Sequence, residues 1–173
     1  MDVPAIQEMR AIITVGISCS GKSTWAKKYC EETGALEINR DEIRMDLFNL
    51  KDPVDFEYTR EKEMKVIDVQ RELIRSAAYL GKNVVISDTN LNEYSRDQLA
   101  STLISLGYDA YVKIFEVDLE VAIERNRRRK INKIPEEVIR TMYEKFQNIP
   151  DCIVENPWYY NIWRRTMKKS EKM

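Results

Sequence analysis

Short apolar runs alternate with longer segments of helical periodicity along most of the chain. The apolar runs, rich in β-branched residues, are 11–15, 35–38, 84–86 and 111–116. The helical segments, which mostly end at a glycine, are 22–32, 56–80 and 93–106. Strands that alternate with helices imply parallel pairing through right-handed crossovers, with helices on both faces of the sheet. The pattern therefore predicts an α/β fold.

The length and composition of the chain are those of one globular domain. It has 173 residues, of which 43% are hydrophobic and 33% charged. We predict a single domain over 1–173, with a core at about 11–148 and a C-terminal tail at 149–173. No apolar run approaches the roughly 20 residues that span a membrane, and the N-terminus has no signal pattern. We expect a cytoplasmic protein without membrane contact; the sequence leaves a homo-oligomer open.

The polar composition narrows the possible chemistry. Because the chain has no histidine, acid–base catalysis must use carboxylates or lysines. The three widely spaced cysteines, Cys19, Cys30 and Cys152, indicate reduced thiols rather than a disulfide framework or a paired-thiol metal site. A net charge of −1 argues against broad adhesion to nucleic acid, although a local basic patch could hold phosphates.

A phosphate-binding loop follows the first predicted strand. Residues 16–23 read GISCSGKS, which matches G-x-x-x-x-G-K-S between a strand and a helix. Backbone N–H groups of such a loop surround phosphate oxygens, while Lys22 contacts the β- and γ-phosphates and the Ser23 hydroxyl ligates Mg²⁺. This context favours nucleotide binding over a chance strand–helix turn. The predicted nucleotide-binding residues of the loop are Gly16, Ser18, Cys19, Ser20, Gly21, Lys22, Ser23 and Thr24.

An acceptor site is predicted after the second strand, where Asn39 is a candidate helix cap. Ligands of parallel sheets bind at the carboxyl ends of the strands, which brings this segment near the phosphates. Asp41 and Arg44 are three residues apart and share a helix face, so a proton-accepting carboxylate would lie beside a phosphate-binding guanidinium. A solvated helix start with dipole-favoured acids is an equally good interpretation of the spacing alone.

The third strand leads into the polar group 87–90, of sequence SDTN. Asp88 could hold a metal-bound water or orient a cation near the loop, and Thr89 would extend into the same cleft. The alternative is that one of these four residues caps the following helix, which is compatible with a catalytic role.

Six basic residues form a run without an acidic residue, after a predicted helix. They are Arg125, Arg127, Arg128, Arg129, Lys130 and Lys133. In phosphoryl-transfer enzymes such residues can close over the nucleotide as a lid, and Arg125 and Arg129 would share one face. The alternative, which we expect for some of the six, is a solvated basic helix end or a separate phosphate-binding patch.

Two further segments have simple interpretations. Residues 158–165 mix aromatic and basic side chains, which could stack bases of a single strand, but core packing is the favoured interpretation. The acidic segment 52–63 is interpreted as a solvated surface or helix start rather than a metal site.

These segments together resemble the kinase domain of the bacteriophage polynucleotide 5'-kinase/3'-phosphatase family, over about residues 12–143. The resemblance is carried by GKSTWA at 21–26, INRD at 38–41 with Arg44, YT at 58–59 with KE at 62–63, ISDTNLN at 86–92, Arg125 with Asn126, Arg129, Arg140, and MY at 142–143. The SDTNLN and NRD segments are more specific than the phosphate-binding loop. The fold implied is a P-loop NTPase-like, adenylate-kinase-like three-layer sandwich with a parallel sheet of about four strands and an arginine-rich lid.

On the donor side, the resemblance implies that Lys22 and Ser23 act on the phosphates of ATP and on Mg²⁺. Arg125 and Arg129 match the lid arginines, and Arg129 lies where the family makes its transition-state contact to the donor phosphates. ATP and Mg²⁺ are therefore the expected cofactors.

On the acceptor side, Asp41 matches the general base for the 5'-hydroxyl and Arg44 the contact to the acceptor's 3'-side phosphate. Asp88 matches an aspartate that positions the acceptor-site groups, with Thr89 beside it. The implied reaction converts ATP and a 5'-OH end of DNA or RNA into ADP and a 5'-phosphate end, in nucleic-acid repair. A phage-encoded protein would act in the host-cell cytoplasm.

Two features depart from the family pattern. Cys19 stands where the loop of the family commonly has a glycine, which narrows the loop's conformations. No D-x-D-x-T motif follows Tyr143, so we expect no 3'-phosphatase activity. Two alternatives stay open: a P-loop kinase of a small molecule such as a nucleoside or sugar, and an ATP-binding regulatory module without turnover.

Overall fold

A four-stranded parallel sheet forms the centre of the protein. The computed structural model describes residues 8–161. Its strands are β1 (Met9–Val15), β2 (Leu36–Ile38), β3 (Val84–Ile86) and β4 (Tyr108–Ile114). They lie in the order β2-β3-β1-β4, and every neighbouring pair is parallel. The predicted α/β class and the parallel sheet of about four strands are confirmed.

Helices cover both faces of this sheet. Within the described residues they are α1 (Lys22–Thr33), α2 (Arg40–Phe48), α3 (Arg60–Tyr79), α4 (Glu93–Ser105), α5 (Leu119–Arg127), α6 (Glu136–Gln147) and α7 (Asp151–Glu155), with a 3₁₀ turn at Pro53–Asp55. Side chains of a strand alternate between the two faces. Ile12 of β1 therefore packs with Ala26 of α1, whereas Ile13 belongs to a cluster with Val66 of α3 and Leu103 of α4. The result is a three-layer sandwich.

Two elements begin three or more residues away from their predicted starts, and the other boundaries differ by two residues or fewer. The third helix begins at Arg60 rather than at residue 56, because the Thr59 side chain accepts a hydrogen bond from the backbone N–H of Lys62 and caps it. The buried Phe56 lies before this cap and packs against Phe48, with the two rings tilted relative to each other. The fourth strand begins at Tyr108, three residues earlier than expected, because its polar residues pair with β1 from Met9 onward.

The segment after α7 packs against the edge strand β4. The backbone N–H of Val112 donates to the carbonyl of Pro157 (2.8 Å), and Asn161 bonds the N–H and carbonyl of Ala110 with its side chain. Tyr160 is 1% exposed and belongs to the main core cluster. The core interpretation of the aromatic tail is confirmed for 158–161, and residues 162–165 lie outside the described part of the chain.

Among residues 8–161, no helix is both long enough and apolar enough to span a bilayer.

Candidate active site

The phosphate-binding loop joins β1 to α1, and two of its glycines are required by the backbone. A Cβ on Gly16 would lie 2.7 Å from the carbonyl oxygen of Phe115 and 2.8 Å from Ser20 Oγ. The N–H of Gly16 donates to the carbonyl of Thr89 (3.1 Å), which ties the loop to the segment after β3. Gly21 caps α1 with φ +95°, a conformation that other residues adopt at a cost. The loop is therefore held in one shape at the N-terminus of α1.

Cys19 occupies the position where the resembling family commonly has a glycine. Its φ is +65°, a left-handed conformation that costs a residue with a Cβ roughly 1–2 kcal/mol. The side chain is buried and packs with Ile17, Ala122 and Ile123. Glycine would adopt this backbone conformation with less strain, but it would lack the side chain that packs against α5.

Lys22 lies under the loop with its amine turned back on its own backbone. It is 6% exposed, and its Nζ donates to the carbonyl of Ile17 (2.5 Å) and to Ser20 Oγ (3.3 Å). Burial, and then the nearby positive charge of Arg129, lower the pKa of Lys22 to about 8. A phosphate entering the loop would offer this amine the anionic partner that it lacks here.

The wall opposite the loop is the start of α2, which Asn39 caps as predicted. Its Oδ1 accepts from the N–H groups of Asp41 (2.9 Å) and Glu42 (3.2 Å). Asp41 and Arg44 do share a face, and Arg44 Nη1 donates to Asp41 Oδ1 at 2.8 Å. The cap fixes the first turn of α2, and the ion pair holds one of the two oxygens of the Asp41 carboxylate.

The acidic segment, interpreted as a solvated surface or helix start, does contain the first turn of α3. Glu63 of that turn is only 25% exposed and pairs with arginines of this wall. Arg44 Nη2 donates to both of its carboxylate oxygens, at 2.9 and 3.0 Å, and Arg40 Nη1 lies 3.4 Å from one of them. The Arg44 guanidinium also lies 5.1 Å from the ring centres of Phe56 and Tyr58. Burial and two carboxylates therefore hold Arg44 in place. Neither the solvated surface nor the helix start predicted for the segment included this role for Glu63.

Replacing Glu63 by glutamine is expected to lower the free energy of unfolding by about 3 kcal/mol, the lower end of the range for a broken buried ion pair. Arg44 would keep its buried charge and its bond to Asp41 but lose the carboxylate that accepts from its Nη2. Urea denaturation measures this change. The matched control is Glu57→Gln, whose exposed ion pair with Lys62 should contribute little. Equal effects of the two substitutions would contradict a structural role for the Arg44–Glu63 pair.

Asp88 lies two residues after β3, with both carboxylate oxygens occupied. Its Oδ1 accepts from the N–H of Arg40 (2.8 Å), and its Oδ2 accepts from Arg40 Nε (3.1 Å) and Gln70 Nε2 (2.8 Å). The helix cap expected among 87–90 is instead Asn92, whose Oδ1 accepts from the N–H of Ser95. Asp88 thus joins the segment after β3 to the start of α2.

The members of the basic run differ in position, and two of them contact the loop. Arg125 and Arg127 belong to the last turn of α5, and Arg129 follows the helix end instead of sharing its face. Arg125 donates to the carbonyl of Cys19 (3.1 Å) and Arg129 Nη1 to Ser18 Oγ (3.1 Å). Both therefore contact the loop.

The other basic residues of the run are solvated, as the alternative interpretation expects for some of the six. Arg127 pairs with Glu136, and Arg128 with Glu124; both are exposed, as are Lys130 and Lys133. We use the name lid for residues 128–135, which connect α5 to α6.

An open cleft of about 420 Å³ lies between the loop, α2 and the lid. The predicted site residues that line it are Ser18, Cys19, Gly21, Lys22, Ser23, Thr24, Asp41, Arg44, Asp88, Thr89 and Arg129. Gly16, Ser20 and Arg125 are outside this lining and shape or contact the loop instead. Lining residues that were not predicted include Tyr58 and Asn132; long-range packing brings them here, and nothing in their local sequence indicates it.

Comparison with known proteins places this geometry in a family. A model of an AAA domain family, AAA_33, matches residues 12–149. A protein of Autographa californica nuclear polyhedrosis virus, described as a bifunctional polynucleotide kinase/RNA ligase, is 35% identical over 153 residues, which are 80% of this chain and 21% of that protein. An L-seryl-tRNA(Sec) kinase of Methanococcus maripaludis is 29% identical over 83% of this chain and 58% of its own length. The chain thus spans about a fifth of the length of the viral protein and somewhat over half of the length of the L-seryl-tRNA(Sec) kinase.

Among solved structures, a chain of the Pnkp1/Rnl/Hen1 RNA repair complex is similar, with a TM-score of 0.71 and 24% identity over 81% of this chain and 44% of that one. This likeness confirms the predicted fold. Of the two sequence relatives described above, one is viral, but it is not from a bacteriophage, so a phage origin stays a prediction. Because the family model covers most of the chain and the loop, cleft and lid have the expected arrangement, the chain belongs to the AAA_33 family of AAA domains and is a P-loop kinase domain.

Proposed function

We propose that this chain is an ATP-dependent polynucleotide 5'-hydroxyl kinase that transfers the γ-phosphate of ATP to a 5'-OH end of DNA or RNA in nucleic-acid repair. The observation that supports it best is the Asp41–Arg44 pair on the cleft wall opposite the phosphate-binding loop. A carboxylate beside a guanidinium suits an acceptor with a hydroxyl next to a phosphate. The viral relative described as a polynucleotide kinase/RNA ligase supports the same acceptor.

The donor half of the cleft fits a nucleoside triphosphate with its metal. Loop N–H groups at the start of α1, together with Lys22, would hold the phosphates. Ser23 is exposed at the cleft, and within the described residues no cluster of three or more acidic, cysteine or histidine side chains could bind a metal by itself. One hydroxyl suits Mg²⁺, which keeps several waters and is bound largely by substrate phosphates. Bound there, it would neutralise charge that develops on the phosphates.

Phosphoryl transfer would use groups from both sides of the cleft, the loop side for the donor and the α2 side for the acceptor. The 5'-oxygen attacks the γ-phosphorus in line, its proton passes to Asp41, and the bond to the bridging oxygen of ADP breaks. Lys22 and Arg129 would stabilise the charge on the transferred group, and Arg44 would bind the phosphate on the 3'-side of the first nucleoside. Asp88 would hold the start of α2 in position relative to the loop through its bonds to Arg40, with Thr89 next to it.

ATP binding is expected to take up a proton at alkaline pH. With a pKa of about 8, Lys22 is mostly neutral in the free protein at pH 8.5, and the triphosphate restores its charge. Uptake should approach roughly three-quarters of a proton at that pH, and affinity should fall as the pH rises further. Calorimetric titration in two buffers of different ionisation enthalpy measures this uptake. Lys22→Arg, whose side chain stays charged, should abolish it; uptake retained in that variant would assign the proton to another group.

The acceptor is tested by incubating the protein with γ-labelled ATP and 5'-OH oligonucleotides of DNA and RNA. We expect labelled 5'-phosphate ends. Labelling of a nucleoside or sugar without labelling of oligonucleotides would establish the small-molecule kinase instead. ATP binding without transfer to any acceptor would establish a regulatory module. A 3'-phosphate oligonucleotide in the same assay should release no phosphate.

A further inference from the structure

Asn132 in the lid bonds the proposed general base directly. Its side-chain Nδ2 donates to Asp41 Oδ2 at 3.2 Å, while Arg44 donates to the other oxygen at 2.8 Å. The two donors come from different elements. Arg44 belongs to α2 and is three residues from Asp41 in sequence, whereas Asn132 belongs to the lid and is 91 residues away. The Asp41 side chain is still 37% exposed, so a hydroxyl can reach its remaining lone pairs.

The backbone of Asn132 anchors the lid separately from its side chain. Its N–H donates to both oxygens of Asp52, at 2.9 and 3.0 Å, and its carbonyl accepts from Arg129 Nη1 (3.2 Å). Arg129 in turn donates to Ser18 of the loop. The lid therefore spans the cleft from the donor wall to the acceptor wall, and the amide of Asn132 is the group that contacts Asp41.

We infer that Asn132 is a positioning residue, which orients the Asp41 carboxylate from the lid and so makes proton acceptance depend on the lid contact. This inference rests on the proposed function. A carboxylate held by one partner can rotate about its last side-chain bond, which is a broad torsion. Two donors on opposite oxygens fix the rotation and leave the free lone pairs in one direction, which is the orientation that general-base catalysis requires.

The conformation of Asn132 permits a clean separation of side chain from backbone. Its φ is +56°, a left-handed value that glycine adopts freely and that aspartate tolerates better than most residues. Asn132→Gly therefore removes the amide while keeping the backbone bonds to Asp52 and Arg129. Asn49→Gly is the matched control, because Asn49 also has a left-handed φ of +51° but is exposed at the end of α2.

Asn132→Asp tests the contact through charge. Among residues 8–161, the ionisable groups that interact electrostatically with Asp41 include Arg44 and Glu42 of its own helix, Lys22 of α1 and Tyr58 of the segment before α3. The substitution would add a carboxylate within hydrogen-bond distance. Two carboxylates at that distance share a proton readily. As the pH is lowered, the variant should therefore lose activity at a higher pH than the wild type does.

The experiment measures steady-state transfer to a 5'-OH oligonucleotide as a function of pH. We expect Asn132→Gly to lower kcat about tenfold with the KM for ATP within about twofold, Asn49→Gly to match the wild type, and Asn132→Asp to move the acid limb of the profile upward by about one pH unit or more. An unchanged or raised kcat in Asn132→Gly, or an unshifted acid limb in Asn132→Asp, would overturn the inference. Absence of transfer by the wild type would instead refute the proposed function.

Discussion

Replacing Asp41 by asparagine is expected to lower phosphoryl transfer by roughly 10²–10⁴-fold, the contribution of a general base, with ATP affinity nearly unchanged. The substitution keeps the shape of the side chain and leaves a carbonyl oxygen to accept from Arg44. What it removes is the carboxylate that we propose as the acceptor of the hydroxyl proton. The loop and Lys22 lie on the opposite wall, so the donor contacts stay intact.

Single-turnover transfer and equilibrium ATP titration of the same protein separate these two effects. Asp46→Asn is the matched control, because Asp46 is an exposed acid of the same helix and does not line the cleft. A variant at Asp41 with wild-type turnover would remove this residue from the base role. A loss of ATP affinity as large as the loss of transfer would show that the substitution disturbs the donor half as well.

Replacing Tyr160 by alanine is expected to lower the free energy of unfolding by about 3–5 kcal/mol, the range for buried aromatic side chains. Tyr160 is 1% exposed, and its hydroxyl accepts from Arg96 Nε (3.0 Å) and donates to Asp97 Oδ1 (2.7 Å). Arg96 is itself 1% exposed, and its Nη2 is buried without a hydrogen-bond partner. Loss of the tyrosine would leave a buried guanidinium with still fewer partners.

Chemical denaturation of three variants separates packing from hydrogen bonding. Tyr160→Phe should cost about 1–3 kcal/mol, since it removes only the hydroxyl and leaves Arg96 Nε unpaired. Tyr79→Ala should have little effect, because Tyr79 is 91% exposed. If Tyr160→Ala unfolds at the same denaturant concentration as Tyr79→Ala, the C-terminal segment does not contribute to the core as the structure indicates. The consequence should extend to the site, because Arg96 Nη1 also donates to the carbonyl of Asn90.

Local patterns were enough to predict the phosphate-binding loop and part of the α2 wall of the cleft. The loop is a continuous motif whose shape depends on its own glycines, and Asp41 and Arg44 are neighbours on one helix turn. Glu63 and Asn132 were missed because they reach the site by tertiary packing. Glu63 lies 19 residues after Arg44, and Asn132 lies 91 residues after Asp41, so no local spacing indicates either contact.

The strand and helix order followed from apolar periodicity, and the errors have a common cause. Periodicity reports which side chains are buried, but a helix begins where its first N–H groups find a cap. Phe56 is buried before the Thr59 cap and was therefore counted into the third helix. In β4 the alternation of buried and half-buried residues begins at Tyr108, and the polar Asp109 concealed the start of the strand.

The segment after α7 has a consequence for how this protein can be handled. Strand β4 is at the edge of the sheet, and the unpaired backbone of an exposed edge is a template for a strand of another molecule. Here Pro157 and Asn161 occupy those groups on Val112 and Ala110. A shortened version that ends before residue 157 should therefore expose the unpaired backbone groups of β4. It should aggregate at concentrations where the longer chain does not, even though it would keep all residues of the cleft.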